Sequence, residues 1–265
     1  MLEIKTIIRI VRVMGYGMSN PIHIIADDNK DYILKTKIIH IDDDNNLQIS
    51  SKELFVEIFS YLYLKALNAL YIPNACLLEL TEQTLCLAQK FANGSQREKQ
   101  ALQNLENSKG LNLGVEYIEN ANKPFSLNEF SAEFTKQMIN YDARLMNTDR
   151  DLENPNILED LRGKKWLIDF GLAFDSLALF DNLISKTRFF EANEIYFDKC
   201  CFTYYIFNEI TRKSVAVSQK RLSTETIQAI ISYLCEKINL LDDSNKEYLA
   251  QIIANRQASK RIFCE

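Results

Sequence analysis

The chain has 265 residues, of which 47% are hydrophobic and 25% charged, and its formal net charge is -5. This composition excludes a wholly disordered chain and a coiled coil, and the acidic balance argues against a dedicated nucleic-acid binder. No apolar run approaches the roughly 20 residues of a membrane span. Charged residues interrupt the apolar N-terminus, so we expect neither a membrane anchor nor a signal peptide.

The cysteines and histidines argue against a metal or disulfide framework. Six cysteines occur without a C-x-x-C pair, and the two histidines have no partner at ligand spacing. Scattered thiols of this kind are typical of a reducing compartment. We therefore expect a cytoplasmic protein whose chemistry does not depend on zinc.

The first part of the sequence predicts strands. Alternating or β-rich segments lie at 5–14, 21–26 and 31–37, and a turn at 27–30 makes the last two a hairpin. Between the first two strands lies G-Y-G-M-S-N at 15–20, whose glycines and asparagine favour a tight turn.

A helix is predicted next, because Ser50 and Glu53 form a capping box before residues at helical spacing. We expect this helix to end near 71–73. The remaining elements of this part are predicted, in order, as strands at 75–80 and 84–91, a short helix or surface insertion at 93–112, and a strand at 114–119.

The segment N-A-N-K-P at 120–124 breaks the pattern, and we place a boundary there. The predicted organisation is an N-terminal lobe at 1–119, rich in strands with one helix, and a mostly helical C-terminal lobe at 120–265. This is an α+β, two-lobed fold.

Within the second part, two further capping boxes predict helix starts, at Ser126 with Glu129 and at Ser244 with Glu247. A strand, a turn and a second strand are predicted between 156 and 169. Beyond Asp175 the periodicity indicates helix to the end of the chain.

Three polar residues form a pattern typical of phosphoryl transfer from ATP. Asp149 and Asn154 are five positions apart in a loop, and Asp169 follows a short hairpin directly before Phe170 and Gly171. In protein kinases a D-x-x-x-x-N loop supplies the catalytic base and one magnesium ligand, and the D-F-G aspartate supplies the other. The alternative is a pair of capped turns, in which Asp and Asn are common.

Lys35 and Glu57 are the predicted phosphate-binding lysine and its partner. Lys35 ends the apolar strand Y-I-L-K, and Lys37 on the same face is the reserve candidate. A helical glutamate should pair with the lysine, and Glu53 is occupied by the capping box, so Glu57 is the choice. The alternatives are an edge lysine that discourages strand pairing and a solvated helix surface.

The glycine segment is a weaker signal. Gly15 and Gly17 could approach the phosphates, but Asn20 stands where G-x-G-x-x-G has its third glycine. Ser19 could bond a phosphate or merely cap the turn, and we leave both readings open. Adenine should lie against the backbone of the segment in which strand gives way to linker: Glu116, Tyr117, Ile118 and Glu119.

The central segment Y-D-A-R-L-M-N-T-D-R-D-L-E-N-P-N-I-L-E-D-L-R-G-K-K-W-L-I-D-F-G-L-A-F, at 141–174, resembles the core motif of HipA-like kinases, especially their shorter single-domain branch. The lysine strand, the helix and the strand G-V-E-Y-I-E fit the same order, so the resemblance covers most of residues 10–175. N-T-D-R also resembles type II phosphatidylinositol 4-kinases.

The resemblance implies a protein-kinase-like fold and phosphorylation that depends on ATP and Mg²⁺. It implies that Asp149 is the base, Asn154 and Asp169 the metal ligands, and Lys35 the phosphate-binding lysine. Better-known family members are bacterial toxin kinases that phosphorylate serine in proteins, and some silence themselves at a serine of the glycine loop, which makes Ser19 a candidate for autophosphorylation. An extra N-terminal subdomain and a fused antitoxin are not recognisable in this sequence.

The leading hypothesis is therefore an ATP-dependent protein serine/threonine kinase with a protein substrate and, as a possible partner, a small antitoxin-type protein. Kinases for a small molecule or a lipid are the enzyme alternative, although the acidic balance disfavours anionic membranes. A catalytically weak nucleotide-binding module that regulates a partner is the alternative from another class.

Overall fold

The structure is a computed structural model, and the residues that it describes are 1–15, 17, 20–37, 39–40, 48–49, 51–91, 94–123, 130–145, 147, 149–150, 154–173, 194–197, 215–216, 221–238, 249–250, 253 and 261–264. The chain divides into two compact units. Unit 1 comprises 1–58 and 73–117, and unit 2 comprises 59–72 and 118–265. The lobes proposed from the sequence, 1–119 and 120–265, stay a prediction.

Unit 1 is built on a closed barrel of five strands. Its members are β1 (Ile4–Val13), β2 (Ile22–Ala26), β3 (Asp31–Lys35), β6 (Ala75–Leu80) and β7 (Gly110–Glu116). All neighbouring strands pair antiparallel except β1 and β6, which are parallel. The predicted hairpin of the second and third strands is confirmed. Two further strands of two residues each, β4 (Ile39–His40) and β5 (Gln48–Ile49), pair with each other.

Gly114 allows the centre of the barrel to pack closely. It lies in β7 opposite Leu34 of β3 on one side and Cys76 of β6 on the other. A Cβ at this position would lie 2.7 Å from Leu78 Cγ and 2.8 Å from Cys76 Sγ, and both neighbours are buried. Any larger residue here would have to displace the side chains of Leu78 and Cys76.

Two helices pack against the barrel, and one of them replaces a predicted strand. Residues 84–91 were expected as a strand but belong to α2 (Glu82–Phe91). The helix begins where Thr81 and Thr84 exchange hydrogen bonds between hydroxyl and backbone N–H. Leu85 and Ala88, three positions apart, join the core of the barrel.

The helix α3 (Gln96–Asn107) decides between the two alternatives left open for residues 93–112. Ser95 and Glu98 form a capping box at its start. Its buried residues Ala101 and Leu105 also join the core of the barrel.

Helix α1 (Ser51–Ala66) is buried along most of its length, from Leu54 to Leu64. It ends earlier than predicted, because Asn68 adopts a left-handed conformation with φ 51°. The N–H of Ala69 donates to the Leu64 carbonyl at 2.9 Å, which is the hydrogen bond of a Schellman cap. Ser50 lies outside the described residues, so its capping box stays a prediction.

In unit 2, helix α4 (Ala132–Leu145) begins later than predicted. Phe130 is not helical, and the Ser131 hydroxyl accepts the N–H of Phe134 at 3.1 Å, so Ser131 is the N-cap. Ser126 and Glu129 lie outside the described residues.

The predicted strand-turn-strand of unit 2 is confirmed as an antiparallel hairpin of β8 (Ile157–Glu159) and β9 (Lys165–Leu167). The expectation of continuous helix beyond Asp175 is wrong. The strands β10 (Glu194–Phe197), β11 (Val215–Ala216) and β12 (Arg261–Cys264) form a sheet in which β12 lies between β10 and β11. Isoleucine, tyrosine and phenylalanine favour strands, and they occupy most of the segments E-I-Y-F and R-I-F-C.

Helix α5 (Thr224–Ile238) does bear out helix in the last third of the chain. Ser244 and Glu247 lie outside the described residues. The α+β class is confirmed as mixed helix and strand, whereas the two-lobed kinase-like arrangement stays a prediction. No helix among the described residues is both long and apolar enough to cross a membrane.

We predict that Gly114→Ala lowers the free energy of unfolding by about 1–3 kcal/mol, the range for an overpacked core. The added methyl group would collide with Leu78 and Cys76. Urea unfolding measures the change. Gly15→Ala is the matched control, because nothing in the described part of the chain lies within 4 Å of the position that its methyl group would occupy. A loss as large there would contradict the packing argument.

A second prediction concerns acid. Desolvation raises the pKa of Asp28, but hydrogen bonds from Lys5 and Tyr32 outweigh it and lower this pKa to about 2. Because the folded value lies below the ordinary 3.8, the Asp28 charge stabilises the protein above about pH 4 and this contribution is lost as the pH falls towards 2.

Asp28→Asn should therefore cost about 1 kcal/mol at pH 7, and the difference from wild type should shrink below pH 4. Urea unfolding as a function of pH checks this, with exposed Glu106→Gln as the control. A difference that does not change with pH would show that Asp28 acts through its shape and not its charge.

Candidate active site

The predicted lysine–glutamate pair is present in unit 1. Lys35 Nζ donates to Glu57 Oε1 at 2.6 Å, and Glu57 is only 4% exposed. Burial of a carboxylate is costly unless a partner compensates its charge, so Lys35 accounts for a glutamate on a helix whose neighbours are apolar. The lysine side chain remains 16% exposed, within reach of a ligand.

Lys37, the reserve candidate, is engaged elsewhere. Its ammonium donates to the Lys109 carbonyl, and its backbone N–H donates to Asn112 Oδ1 at 2.9 Å. Desolvation by burial lowers the pKa of Lys37. Its contacts connect the end of β3 to the turn before β7, which is a structural role.

The glycine segment has a defined conformation at Gly17 and Asn20, with φ values of 87° and 48°. Asparagine tolerates the left-handed region, which explains how Asn20 replaces a third glycine. Arg97 of α3 donates to the carbonyls of Met14 and Gly17. Ser19 lies outside the described residues, and both of its proposed roles stay predictions.

In the segment predicted to bind adenine, two backbone N–H groups already donate hydrogen bonds within the protein. The N–H of Glu116 donates to the Asn74 carbonyl at 2.8 Å, and the N–H of Tyr117 donates to the Asp31 carbonyl at 3.0 Å. The carbonyl of Ile118 accepts the N–H of Ala121 at 3.3 Å. An adenine contact through the Glu116 or Tyr117 N–H would require one of these bonds to break.

A buried ion pair lies next to two of the candidate catalytic residues of unit 2, Asp149 and Asp169. Asp142 and Arg150 are both fully buried, and Arg150 Nε lies 2.8 Å from Asp142 Oδ2. Arg150 Nη1 also donates to the carbonyls of Pro155, Asn156 and Ile168, at 3.1, 2.7 and 3.2 Å. One guanidinium therefore joins helix α4, the loop and the end of the hairpin.

Asn156 links Asp149 to the segment before Asp169. Its side-chain amide donates to the Asp149 carbonyl at 2.8 Å and approaches Asp149 Oδ2 at 3.4 Å. Its own carbonyl accepts the N–H of Ile168 at 3.0 Å. Asp149 and the residue before Asp169 are thus both bonded to one asparagine.

Asp169 adopts a left-handed conformation with φ 61°. Backbone strain of this kind concentrates at functional sites, and here it follows directly after the hairpin. Phe170, the next residue, is buried, lies 5.2 Å from the Arg150 guanidinium and packs edge-on against Tyr61. These contacts anchor the chain immediately beyond Asp169.

Asn154 is exposed, and its Oδ1 accepts a weak hydrogen bond from Lys123 at 3.4 Å. Within the described part of the chain, no group of three or more His, Cys, Asp or Glu side chains could hold a metal. Magnesium often takes only one or two protein oxygen ligands and completes its shell with phosphates and water. Asn154 and Asp169 each carry side-chain oxygens of the type that magnesium binds.

Sequence reasoning missed the supporting residues Asp142, Arg150 and Asn156. The motifs N-T-D-R and N-P-N contain two of them, but only Asp149 and Asn154 were given roles. Asp142 itself was a signal, because it lies on the face of helix α4 opposite the exposed charged residues of that helix. The partner of a buried carboxylate could have been sought among nearby arginines.

The comparisons with known proteins found no matching family model and no matching curated protein. Among solved structures, a crystal structure of the Golgi casein kinase is similar over 97% of this chain and 71% of its own, with 10% identity and a TM-score of 0.43. The same kinase with Mn/ADP bound gives 97%, 74%, 10% and 0.38. The MAP kinase LmaMPK10 from Leishmania major gives 94%, 79%, 12% and 0.27. These TM-scores are below 0.5, so we base the function on the residues described above.

The buried ion pair of unit 2 gives a testable prediction. Asp142→Ala should lower the free energy of unfolding by about 3–5 kcal/mol, because Arg150 would remain buried without its carboxylate. Glu133→Ala, an exposed acid on the same helix, should cost less than about 1 kcal/mol. Denaturant unfolding compares the two, and equal losses would contradict a structural role for the pair.

Proposed function

We propose that the chain is an ATP-dependent phosphotransferase of the protein-kinase type. The observation that carries this proposal is the ion pair between Lys35, at the end of a strand, and the buried Glu57 of helix α1. Such a pair seldom stabilises a protein more than apolar residues of similar size would. Because Glu57 lies among buried apolar residues of α1, the pair favours a role in binding over one in stability. Kinases use a strand lysine paired with a helix glutamate to hold ATP phosphates.

Unit 2 supplies the second set of parts in this proposal. The Asp149 carboxylate is half-buried and held by Asn156, which suits a group that accepts a proton from an acceptor hydroxyl. Asp169 and Asn154 offer oxygen atoms for Mg²⁺. When bound, the metal neutralises charge on the phosphates.

The chemical step would transfer the terminal phosphoryl group of ATP to a hydroxyl oxygen. The proton of that hydroxyl would pass to Asp149 and ADP would leave, and the role proposed for Lys35 is to bind phosphate oxygens. The HipA-like resemblance of 141–174 supports a serine or threonine hydroxyl of a protein as the acceptor, and a small antitoxin-type protein as a partner.

The test separates the roles of three residues. Asp149→Asn should retain Mg-ATP binding but lower turnover by about 10²–10⁴-fold, the usual contribution of a general base. Asp169→Asn should weaken metal-dependent ATP binding as well as turnover, and Lys35→Met should weaken ATP binding. Calorimetry measures binding, and ATP labelled in its terminal phosphate measures transfer to protein or water.

Lys37→Met is the matched control, since it removes a lysine two positions away that bonds Lys109. It should retain most of the turnover. Wild-type behaviour of both aspartate variants would refute the site. A wild-type protein that binds Mg-ATP but never transfers phosphate would favour the nucleotide-binding regulatory module instead.

A further inference from the structure

Two side chains of helix α3, one turn apart, bond the glycine segment and the residue before it. Arg97 Nε donates to the Met14 carbonyl at 2.6 Å, and Nη2 donates to the Gly17 carbonyl. Gln100 Oε1 accepts from Asn20 Nδ2 at 3.5 Å. The Arg97 guanidinium thus binds two carbonyl oxygens that lie three positions apart in the chain.

This contact fixes the direction of backbone dipoles. In a planar trans peptide the C=O and the following N–H point in opposite directions. Because the Met14 carbonyl faces Arg97, the Gly15 N–H faces away from that guanidinium. Anion-binding loops present N–H groups to the anion, whereas carbonyl oxygens in the same place would repel it.

Gly15 gives a second, independent observation. Its φ lies outside the left-handed region, and no described residue lies within 4 Å of the position that a Cβ would occupy. Glycine loses more conformational freedom on folding than any other residue. The described chain gives no steric reason for glycine here, and because Gly15 is exposed, the position is open to a ligand. Gly17 differs, since its φ of 87° accounts for the glycine.

We propose that Arg97 is a positioning residue for the phosphates of ATP. It contacts no phosphate itself but draws the carbonyls of Met14 and Gly17 to one side, so that the Gly15 N–H is presented on the other. This inference rests on the proposed function and adds a residue to it that the glycine motif does not contain.

The experiment compares two ligands. Calorimetry should show that Arg97→Ala loses about tenfold in affinity for Mg-ATP, a factor equivalent to about 1.4 kcal/mol, while the affinity for adenosine is unchanged. Adenosine lacks phosphates, so it reports the remainder of the site. In turnover assays the KM for ATP should rise more than kcat falls. Arg97→Lys, which keeps one donor to a carbonyl, should lie between wild type and Arg97→Ala.

Two further variants control the result. Lys99→Ala removes an exposed cation from the same helix and should leave both affinities unchanged. Gly15→Ala should weaken Mg-ATP binding without lowering thermal stability. If Arg97→Ala lowers the affinities for ATP and adenosine equally, or lowers neither, Arg97 has only a structural role and the inference is wrong.

Failure of the proposed function looks different. In that case the wild-type protein itself would bind Mg-ATP no more tightly than adenosine, and the inference about Arg97 would fall with the function on which it rests. Should Arg97→Ala not fold, Arg97→Lys and Gly15→Ala decide the question by the same ratio of ATP affinity to adenosine affinity.

Discussion

The guanidinium of Arg150 is the group on which the candidate catalytic residues of unit 2 depend. It is fully buried, pairs with Asp142 and bonds three backbone carbonyls. Those carbonyls belong to the loop after Asp149 and to Ile168, directly before Asp169. A buried charge tolerates little rearrangement, because every lost partner leaves it uncompensated. The positions of both aspartates therefore follow from the requirements of one cation.

Unit 1 contains a buried ion pair of a different kind. Lys35 pairs with Glu57 while part of the lysine remains accessible, whereas Arg150 is enclosed on all sides. The planar guanidinium, with five donors, suits a fixed scaffold. An ammonium on a flexible stem is a movable point charge. An arginine in unit 2 suits the structural role of Arg150, and a lysine in unit 1 suits the ligand contact proposed for Lys35.

The third strand of unit 1 could be predicted from period-two alternation, because burial alternates along β3. β2 and β6 are buried on both faces and could be predicted only from their apolar, β-rich composition. The pairing of Lys35 with Glu57 was also predictable, since an isolated charge in an apolar strand needs a partner. Residues 84–91 were mistaken for a strand because L-C-L alternates. The cap formed by Thr81 and Thr84 lies just before that alternation and decides for helix.

The supporting network of unit 2 was not predictable in the same way. Arg150 bonds carbonyls of Pro155 and Ile168, and a carbonyl has no side-chain signature in the sequence. The expectation of helix beyond Asp175 failed for another reason. Segments of four residues are too short for a helical period to be distinguished from a strand, and their pairing partners lie far away along the chain.

Asparagine explains how a chain with only 7 glycines builds so many tight turns. Among the described residues other than glycine, positive φ values occur at seven positions, and five of these are asparagines: Asn20, Asn29, Asn68, Asn120 and Asn156. Glycine would supply the conformation alone, whereas asparagine adds an amide that can bond a neighbour. At Asn156 that amide holds Asp149, and at Asn20 it contacts Gln100 of α3. The departure from G-x-G-x-x-G is therefore an exchange of backbone freedom for a side-chain contact that holds the segment in place.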